Sequence, residues 1–457
     1  MLLGRTAELL ALEESYKSGN NTLTILYGRS GIGKTALIKE FIKDKECIYY
    51  AAPQAAEKQQ YEVMRQAFAD GGILRNMDTE GAGYDGLLAE TANIKAPVKL
   101  IVIEEFQNII KQSKTFMDSL TKLVRGELYS RQVMVVCTSS SISWIENSLV
   151  SAIGMNAAAI TGFLKLKELS FVDIVRMFPK YAVPDSMLVY AVTGGVPAYM
   201  KEFTDTISVR DNICKNILAK GKKLRSEGAE YIKEELRETA LYNTILSHIA
   251  SGAYKLNELH QLTGFGRDKI SVYLKNLMER EIVDKIFSYD TEGNEYTRKG
   301  LYRIKSGYTE FWFKYIYGKE SQLEIMGAER FYDSYIKESI NEFAKETFVK
   351  VGTEFVELMD SMGKLPIKIA RRGRWWGKNG DIDIIACDND KNYLIGKCNW
   401  LTELFTFEMF EELMYNVNLA GIGKDYIYLF SKGSFDAELM AFAQENKNVN
   451  LISLSDL

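Results

Sequence analysis

Residues 21–42 read NTLTILYGRSGIGKTALIKEFI, and they decide the fold of the first third of the chain. An apolar run at 22–27 feeds directly into Gly28, Arg29, Ser30, Gly31, Ile32, Gly33, Lys34 and Thr35. Apolar positions then recur at helical spacing. This is G-x-x-x-x-G-K-[ST] in its strand–loop–helix setting. Glycines let the loop wrap tightly, so that several backbone N–H groups converge on one point. The following helix start adds the positive end of its dipole. Such a loop suits the phosphates of ATP. The expected nucleotide-binding set is residues 28–35 together with Ala36. Within it, Lys34 supplies a point charge to the β- and γ-phosphates and Thr35 a hydroxyl to Mg2+.

Such a loop needs carboxylates on a neighbouring strand, and VKLIVIEEFQNII at 98–110 offers them. Four apolar residues, as in a central parallel strand, end at Glu104 and Glu105. Glu104 is assigned to Mg2+ and Glu105 to general-base activation of water, with the reverse assignment open. A third apolar run, QVMVVCTSSSIS at 132–143, ends in Thr138, Ser139, Ser140 and Ser141. These hydroxyls either reach the γ-phosphate or its water, or cap a helix. Strands at 22–27, 46–51, 98–103, 132–138 and near 158–166, separated by helical segments, describe a doubly wound α/β sheet.

The bulk properties narrow the rest. A chain of 457 residues exceeds one core, so two to four domains are expected. A net charge of −4 excludes a wholesale electrostatic nucleic-acid binder and leaves only a local patch. Five scattered cysteines read as reduced core residues, and two histidines, His248 and His260, as structural groups. No stretch approaches the ~18 uninterrupted apolar residues of a membrane span, which points to a cytoplasmic protein with no membrane partner.

LGRTAELLALEE, YGRSGIGKTALIKEF, LIVIEEFQNI, VVCTSSSIS, LKELSF and AVTGGVPAYMKEF follow one another in the order seen in the archaeal-type ATPases. The chain resembles that branch of the AAA-like and STAND P-loop proteins over nearly its whole length. The resemblance implies a P-loop ATPase core, a helical lid, a winged helix and a C-terminal nuclease-like domain. It puts Gly4 and Arg5 near the adenine, and Gly194, Gly195 and Pro197 in a turn of the lid. Read from the residues alone, that turn is a helix stop followed by a Pro-led helix start. Two departures stand out. The first acid is Glu104 where the family usually has Asp. Asn156 stands about where the family has an arginine, which implies weak hydrolysis or an arginine from elsewhere. Arg176, Arg125 and a neighbouring subunit of an oligomer are the candidates.

The domains expected are a P-loop core at 1–167, a helical lid and linker at 168–235, a winged helix at 236–322 and a restriction-endonuclease-like α/β domain at 323–457. In the winged helix, Arg267, Lys269, Lys275 and Arg280 lie on the recognition helix. Arg298, Lys299 and Arg303 lie on or after a wing that turns at Glu292, Gly293 and Asn294. Together they form a local basic patch facing either DNA or a protein domain. The aromatic helix at 308–317 reads as core or docking surface.

In the last domain a long helix at about 328–351 precedes strands near 366–371, 380–386 and 393–398. Next come a helix at 403–420, a strand at 424–430, a further helix and a final strand. GRWWGKNGDIDII and LIGKCNW resemble the paired strands of the restriction-endonuclease-like core. In active members, an Asp on the first strand and a Glu on the second hold Mg2+, and a Lys two residues on orients water. Asp383 matches the Asp and Asp381 stands nearby. Lys397 occupies the Glu position, Asn399 the Lys position, and Ala344 the place of a helix Glu. A cation at a metal position implies a nuclease fold without the chemistry. Lys368, Arg371, Arg372 and Arg374, with Trp375 and Trp376, read either as a grip on nucleic-acid backbone or as an internal docking segment.

The leading expectation is a slow Mg-dependent ATPase acting as a switch that presents the winged helix and nuclease-like domain to DNA or a protein. An ATP-gated nuclease and a transcription regulator with structural nucleotide are the alternatives.

Overall fold

The run 22–27 becomes strand β1 (Thr22–Tyr27), buried along its whole length. Helix α1 (Thr6–Lys17) precedes it and helix α2 (Lys34–Ile42) follows the glycine loop. The parallel sheet continues with β2 (Cys47–Ala51), β3 (Lys99–Glu104), β4 (Val133–Ser139) and β5 (Gly162–Lys165), in spatial order β2-β3-β4-β1-β5. Strands β3 and β4 carry Leu100, Val102, Met134 and Val136 into one core and Ile101, Ile103, Val135 and Cys137 into another. Burial on both faces explains why these strands read as unbroken apolar runs. The computed structural model describes residues 3–74, 83–113, 115–291, 300–378 and 380–457. The chain divides into two compact units, Met1–Glu168 and Leu169–Leu457.

The second unit begins with helices. Helix Val183–Thr193 ends at Gly194, whose φ of 66° suits glycine, and Pro197 opens the next short helix. Helices Thr239–Ala250, Leu256–Thr263 and Arg267–Glu279 lead to an antiparallel pair, β6 (Val283–Phe287) and β7 (Gly300–Ile304). The turn expected at Glu292, Gly293 and Asn294 lies outside the described residues, as do Arg298 and Lys299. In helix Gly307–Tyr315 the aromatic side chains Tyr308, Phe311, Trp312, Phe313 and Tyr315 are buried, and Trp312 Nε1 donates to the Arg225 carbonyl at 2.8 Å.

The C-terminal sheet is mixed, in order β14 (Val449–Ser453), β12 (Tyr426–Ser431), β10 (Tyr393–Asn399), β9 (Asp381–Cys387) and β8 (Arg371–Trp376). Strands β8 (Arg371–Trp376) and β10 (Tyr393–Asn399) each pair antiparallel with β9 (Asp381–Cys387) between them. A short β11 (Leu404–Phe405) pairs with β13 (Ser434–Phe435). Strands β12 (Tyr426–Ser431) and β14 (Val449–Ser453) extend β10 in parallel. Helices Ile340–Ser361, Phe407–Ala420 and Ala437–Glu445 complete the domain. Two expectations shift. The helix at 328–351 is two helices, Ala328–Tyr335 and Ile340–Ser361, separated near Ser339, whose carbonyl accepts from Phe343 N–H. The strand expected at 366–371 lies at Arg371–Trp376 instead. It is an edge strand, with a register shift between Gly373 and Trp375, so it carries no clean alternation. Among the described residues no helix is long and apolar enough to cross a membrane.

Candidate nucleotide site and a second charged cluster

Sheet topology brings the first site together. The glycine loop leaves β1, and Glu104 ends β3, at the same C-terminal edge of the parallel sheet. Gly31 and Gly33 hold φ of 77° and 102°, which L side chains adopt at a cost. A Cβ on Gly28 would meet the Leu166 carbonyl at 2.7 Å. Gly28 N–H donates to the Ser139 carbonyl at 3.2 Å, tying the loop to the end of β4. Lys34 is buried, and its ammonium donates to the Gly28 and Arg29 carbonyls at 2.7 and 3.1 Å. Burial pulls the ammonium below its ordinary pKa, while the Glu105 and Glu104 carboxylates oppose that shift. Thr35 and Ala36 begin α2 and are exposed, as is Ser30.

Arg5 braces the loop from behind. Its guanidinium donates to the Ile32 carbonyl at 2.9 Å and to the Lys167 carbonyl at 2.7 Å, and pairs with Glu8 at 3.2 Å. Gly4, just before it, has φ of 66°. Both residues therefore lie beside the loop.

The two acids are held differently. Glu104 accepts a hydrogen bond from the Tyr49 hydroxyl at 2.6 Å through Oε2, while Oε1 is buried with no partner among the described residues. Glu105 sits at φ 52°, a left-handed conformation that costs a residue with a side chain about 1–2 kcal/mol. Its Oε2 accepts from Gln107 Nε2 at 2.6 Å, Ser140 Oγ at 2.7 Å and Ser140 N–H at 3.1 Å. The Ser140 hydroxyl thus faces Glu105, while Ser141 stands at the start of helix Ile142–Asn147 without a side-chain cap. Tyr49 and Gln107 escaped sequence reasoning. Gln107 alone left a signal, a polar residue two positions after the acids.

An orphaned carboxylate oxygen, a hydroxyl opening a helix and a buried lysine form a donor set that fits Mg2+ and a phosphate chain. Asn156 donates to Asp118 Oδ1 at 2.7 Å. Arg125 follows Val124, whose carbonyl accepts from the Asn21 side chain just ahead of β1. It therefore sits at the opposite end of a strand roughly 20 Å long and does not reach the loop. Arg176 lies on helix Phe171–Met177 of the second unit.

The second cluster lies on the C-terminal sheet. Asp383 is buried, and both of its oxygens are engaged. Oδ1 meets Arg374 at 3.5 Å, and Oδ2 meets Lys397 at 3.4 Å and Cys398 N–H at 3.0 Å. Lys397 also pairs with Asp381. The helix carboxylate at this cluster is Glu346, two residues beyond the Ala344 position that the resemblance points to. Ala344 is buried in the apolar core, and Glu346 pairs with Arg374 at 2.7 Å and Arg303 at 3.4 Å. Burial opposes ionisation of Glu346, yet Arg374 and Arg303 hold its carboxyl down at about 2. Burial likewise opposes the charge on Lys397, and Asp383 and Asp381 still keep it above its ordinary pKa. Asn399 turns to Thr402 and the Leu404 carbonyl.

The basic run is mostly consumed within the chain. Arg371 donates to the Tyr289 carbonyl and lies 4.0 Å from that ring's centre. Arg372 pairs with Glu357 and Lys368 with Asp360, both pairs at the surface. Trp375 packs in the core beside Tyr289. The basic helix is similar. Arg267 donates to Asn257, Lys269 lies over Phe265, Arg280 donates to the Glu235 and Asn276 carbonyls, and Arg303 stacks on Tyr254. Lys275 is exposed, with Glu279 one turn away.

Residues 2–203 match a family described as an ATPase domain predominantly from Archaea, and residues 312–413 match one described as archaea bacterial proteins of unknown function. Over 402 residues the chain is 31% identical to the uncharacterized protein MJECL04 of Methanocaldococcus jannaschii, covering 88% of each. Among solved structures it is similar to the Walker-type ATPase PABY2304 of Pyrococcus abyssi, at 14% identity over 68% of this chain and 96% of that one, with a TM-score of 0.47. It is also similar to the Aeropyrum pernix ORC2 protein in its ADPNP–ADP complexes, at 17% identity over 66% and 90%, with a TM-score of 0.46. The likeness to the Methanocaldococcus protein, together with the match of the N-terminal segment, shows that the chain belongs to the archaeal-type P-loop ATPase family.

Proposed function

We propose that this protein is a slow, Mg-dependent ATPase in which nucleotide state controls how the second unit meets a partner. One observation carries the reading: Glu104 keeps a buried oxygen without a partner among the described residues, beside a loop whose lysine is held by its own carbonyls. In this reading the loop from Gly28 to Thr35, with Ala36, takes the phosphates. Thr35 and Glu104 take the metal side, and Mg2+ when bound offsets charge on the β- and γ-phosphates. Glu105, oriented by Gln107 and Ser140, accepts the proton of the attacking water. Slow turnover follows from Asn156 and from the placement of Arg125, because an arginine at the γ-phosphate is worth ~10³ or more in rate where it acts.

Helices Thr239–Ala250 to Arg267–Glu279 and the β6–β7 pair form a winged helix in this reading, and residues 323–457 a nuclease-like domain without cleavage activity. Pairing of Asp383 and Glu346 with Arg374 and Lys397 supports the loss of nuclease chemistry. Engagement of most of the described basic groups by side chains and carbonyls of this chain favours a protein partner over DNA. The protein works in the cytoplasm, and a neighbouring subunit or the partner supplies the arginine.

The test is steady-state ATP hydrolysis by the full chain, with and without duplex DNA, beside Glu105→Gln. A slow rate that falls about 10²–10⁴-fold in Glu105→Gln, with ATP binding retained, supports the reading. DNA stimulation would return DNA to the partner's place. Hydrolysis unaffected by Glu105→Gln would remove Glu105 as the base.

A further inference from the structure

Tyr49 sits on β2 and pairs in register with Val102, two residues before Glu104 on β3. Alternation along each strand places Tyr49 and Glu104 on one face as diagonal neighbours, a span that an aromatic side chain bridges. The phenol reaches Glu104 Oε2 at 2.6 Å. Shortening Glu104 by one methylene would withdraw the carboxylate by about 1.5 Å, beyond hydrogen-bonding distance. The other carboxylate oxygen, Oε1, is buried and has no partner among the described residues.

We propose that Tyr49 is a positioning residue for the metal-side carboxylate. Its hydroxyl fixes one oxygen of Glu104, which leaves the other oriented for the divalent cation that accompanies the nucleotide. This assignment rests on the ATPase reading of the site. It ties a longer acid on β3 to a tyrosine on β2 as one matched pair.

Tyr49→Phe keeps the ring and removes only the donor. In the full chain, Mn2+ is titrated into the ADP-saturated protein and followed by electron paramagnetic resonance, and ADP affinity is measured separately in EDTA. Tyr49→Phe is expected to weaken Mn2+ binding about tenfold, the scale of one charge-assisted hydrogen bond, and to leave metal-free ADP affinity unchanged. In a Glu104→Asp background the same substitution is expected to change nothing further. Equal losses with and without metal, or the same tenfold effect in both backgrounds, would overturn the assignment. Wild-type protein that binds no ADP would overturn the ATPase reading, and this assignment with it.

Discussion

Glu104 at the end of β3 and Asp383 on β9 are both sheet carboxylates with a lysine in their electrostatic neighbourhood, yet their surroundings answer them in opposite ways. Asp383 has a cation on each oxygen, Arg374 on one and Lys397 on the other. Glu104 has one oxygen on a neutral tyrosine and one without a partner among the described residues, and the nearby Lys34 is bound to loop carbonyls instead. A carboxylate withdrawn from water that stays ionised draws a cation either from its own chain or from solution. In the first case the fold has closed the site, and in the second it has left room for a ligand. The two cations beside Asp383 therefore say more about it than its position on the strand does.

Breaking the closed cluster is expected to give the largest effect. Arg374→Leu takes from Glu346 and Asp383 the cation they share, leaving Arg303 alone on the first and Lys397 alone on the buried second, and should destabilise the second unit by about 3 kcal/mol, since a buried carboxylate that loses a partner costs more than the pair contributes. Urea unfolding followed by tryptophan fluorescence reads it, because Trp375 and Trp376 flank the site. Pairing that change with Glu346→Leu should recover most of the loss, as apolar replacement of a buried pair often does. A second change that adds its own full cost would mean that the cluster is not one unit.

The open cluster was far more legible in the sequence than the closed one. The loop, Lys34, Thr35 and both acids lie in two short segments whose local pattern states their geometry. The restraints on those acids were not legible. Tyr49 acts through the adjacency of β2 and β3, Ser140 through that of β3 and β4, and Gln107 through a left-handed turn at Glu105. No residue type announces a strand order. The closed cluster depends on long-range register throughout. Ala344 and Glu346 are two residues apart on one helix, about 200° around its axis, and only packing decides which faces β9. Edge strand β8 was displaced for a related reason. Its charged side chains find partners on Glu357, Glu346 and the Tyr289 carbonyl, so its sequence carries no apolar alternation.

The open site is next in size. Lys34→Ala removes a buried ammonium whose present partners are two carbonyls that water can also satisfy, so the fold should tolerate it. ATP affinity, by contrast, should fall by about 2–4 kcal/mol, some 30- to 1,000-fold, as an ionic contact to phosphate is lost. Isothermal titration with Mg-ATP reads the affinity, and thermal unfolding without nucleotide reads the fold. Loss of stability without loss of affinity would make Lys34 a structural group and remove the contrast between the clusters.

The smallest effect is a pH dependence confined to the second unit. Glu346 is held at about 2 in the folded chain, against an ordinary value of 4.5. Its contribution is fully present above pH 4.5 and is lost as pH falls through that value toward 2. Glu310, in the aromatic helix, behaves oppositely. Burial raises its carboxyl to about 7, with Arg303 and Lys314 opposing and Glu346 reinforcing the shift. A carboxyl raised in the folded state favours folding below 4.5, and that advantage fades as pH rises through 7. Stability of this unit should therefore peak near pH 5 and decline by about 1–2 kcal/mol on either side, after allowance for solvent screening of the half-exposed Glu346. Urea midpoints from pH 3 to 8 trace both limbs. Glu310→Gln should flatten only the alkaline limb, and Glu346→Gln only the acid one. A wild-type curve that rises monotonically from pH 5 to 8 would show that Glu310 is ionised in the fold, with Arg303 and Lys314 offsetting its charge.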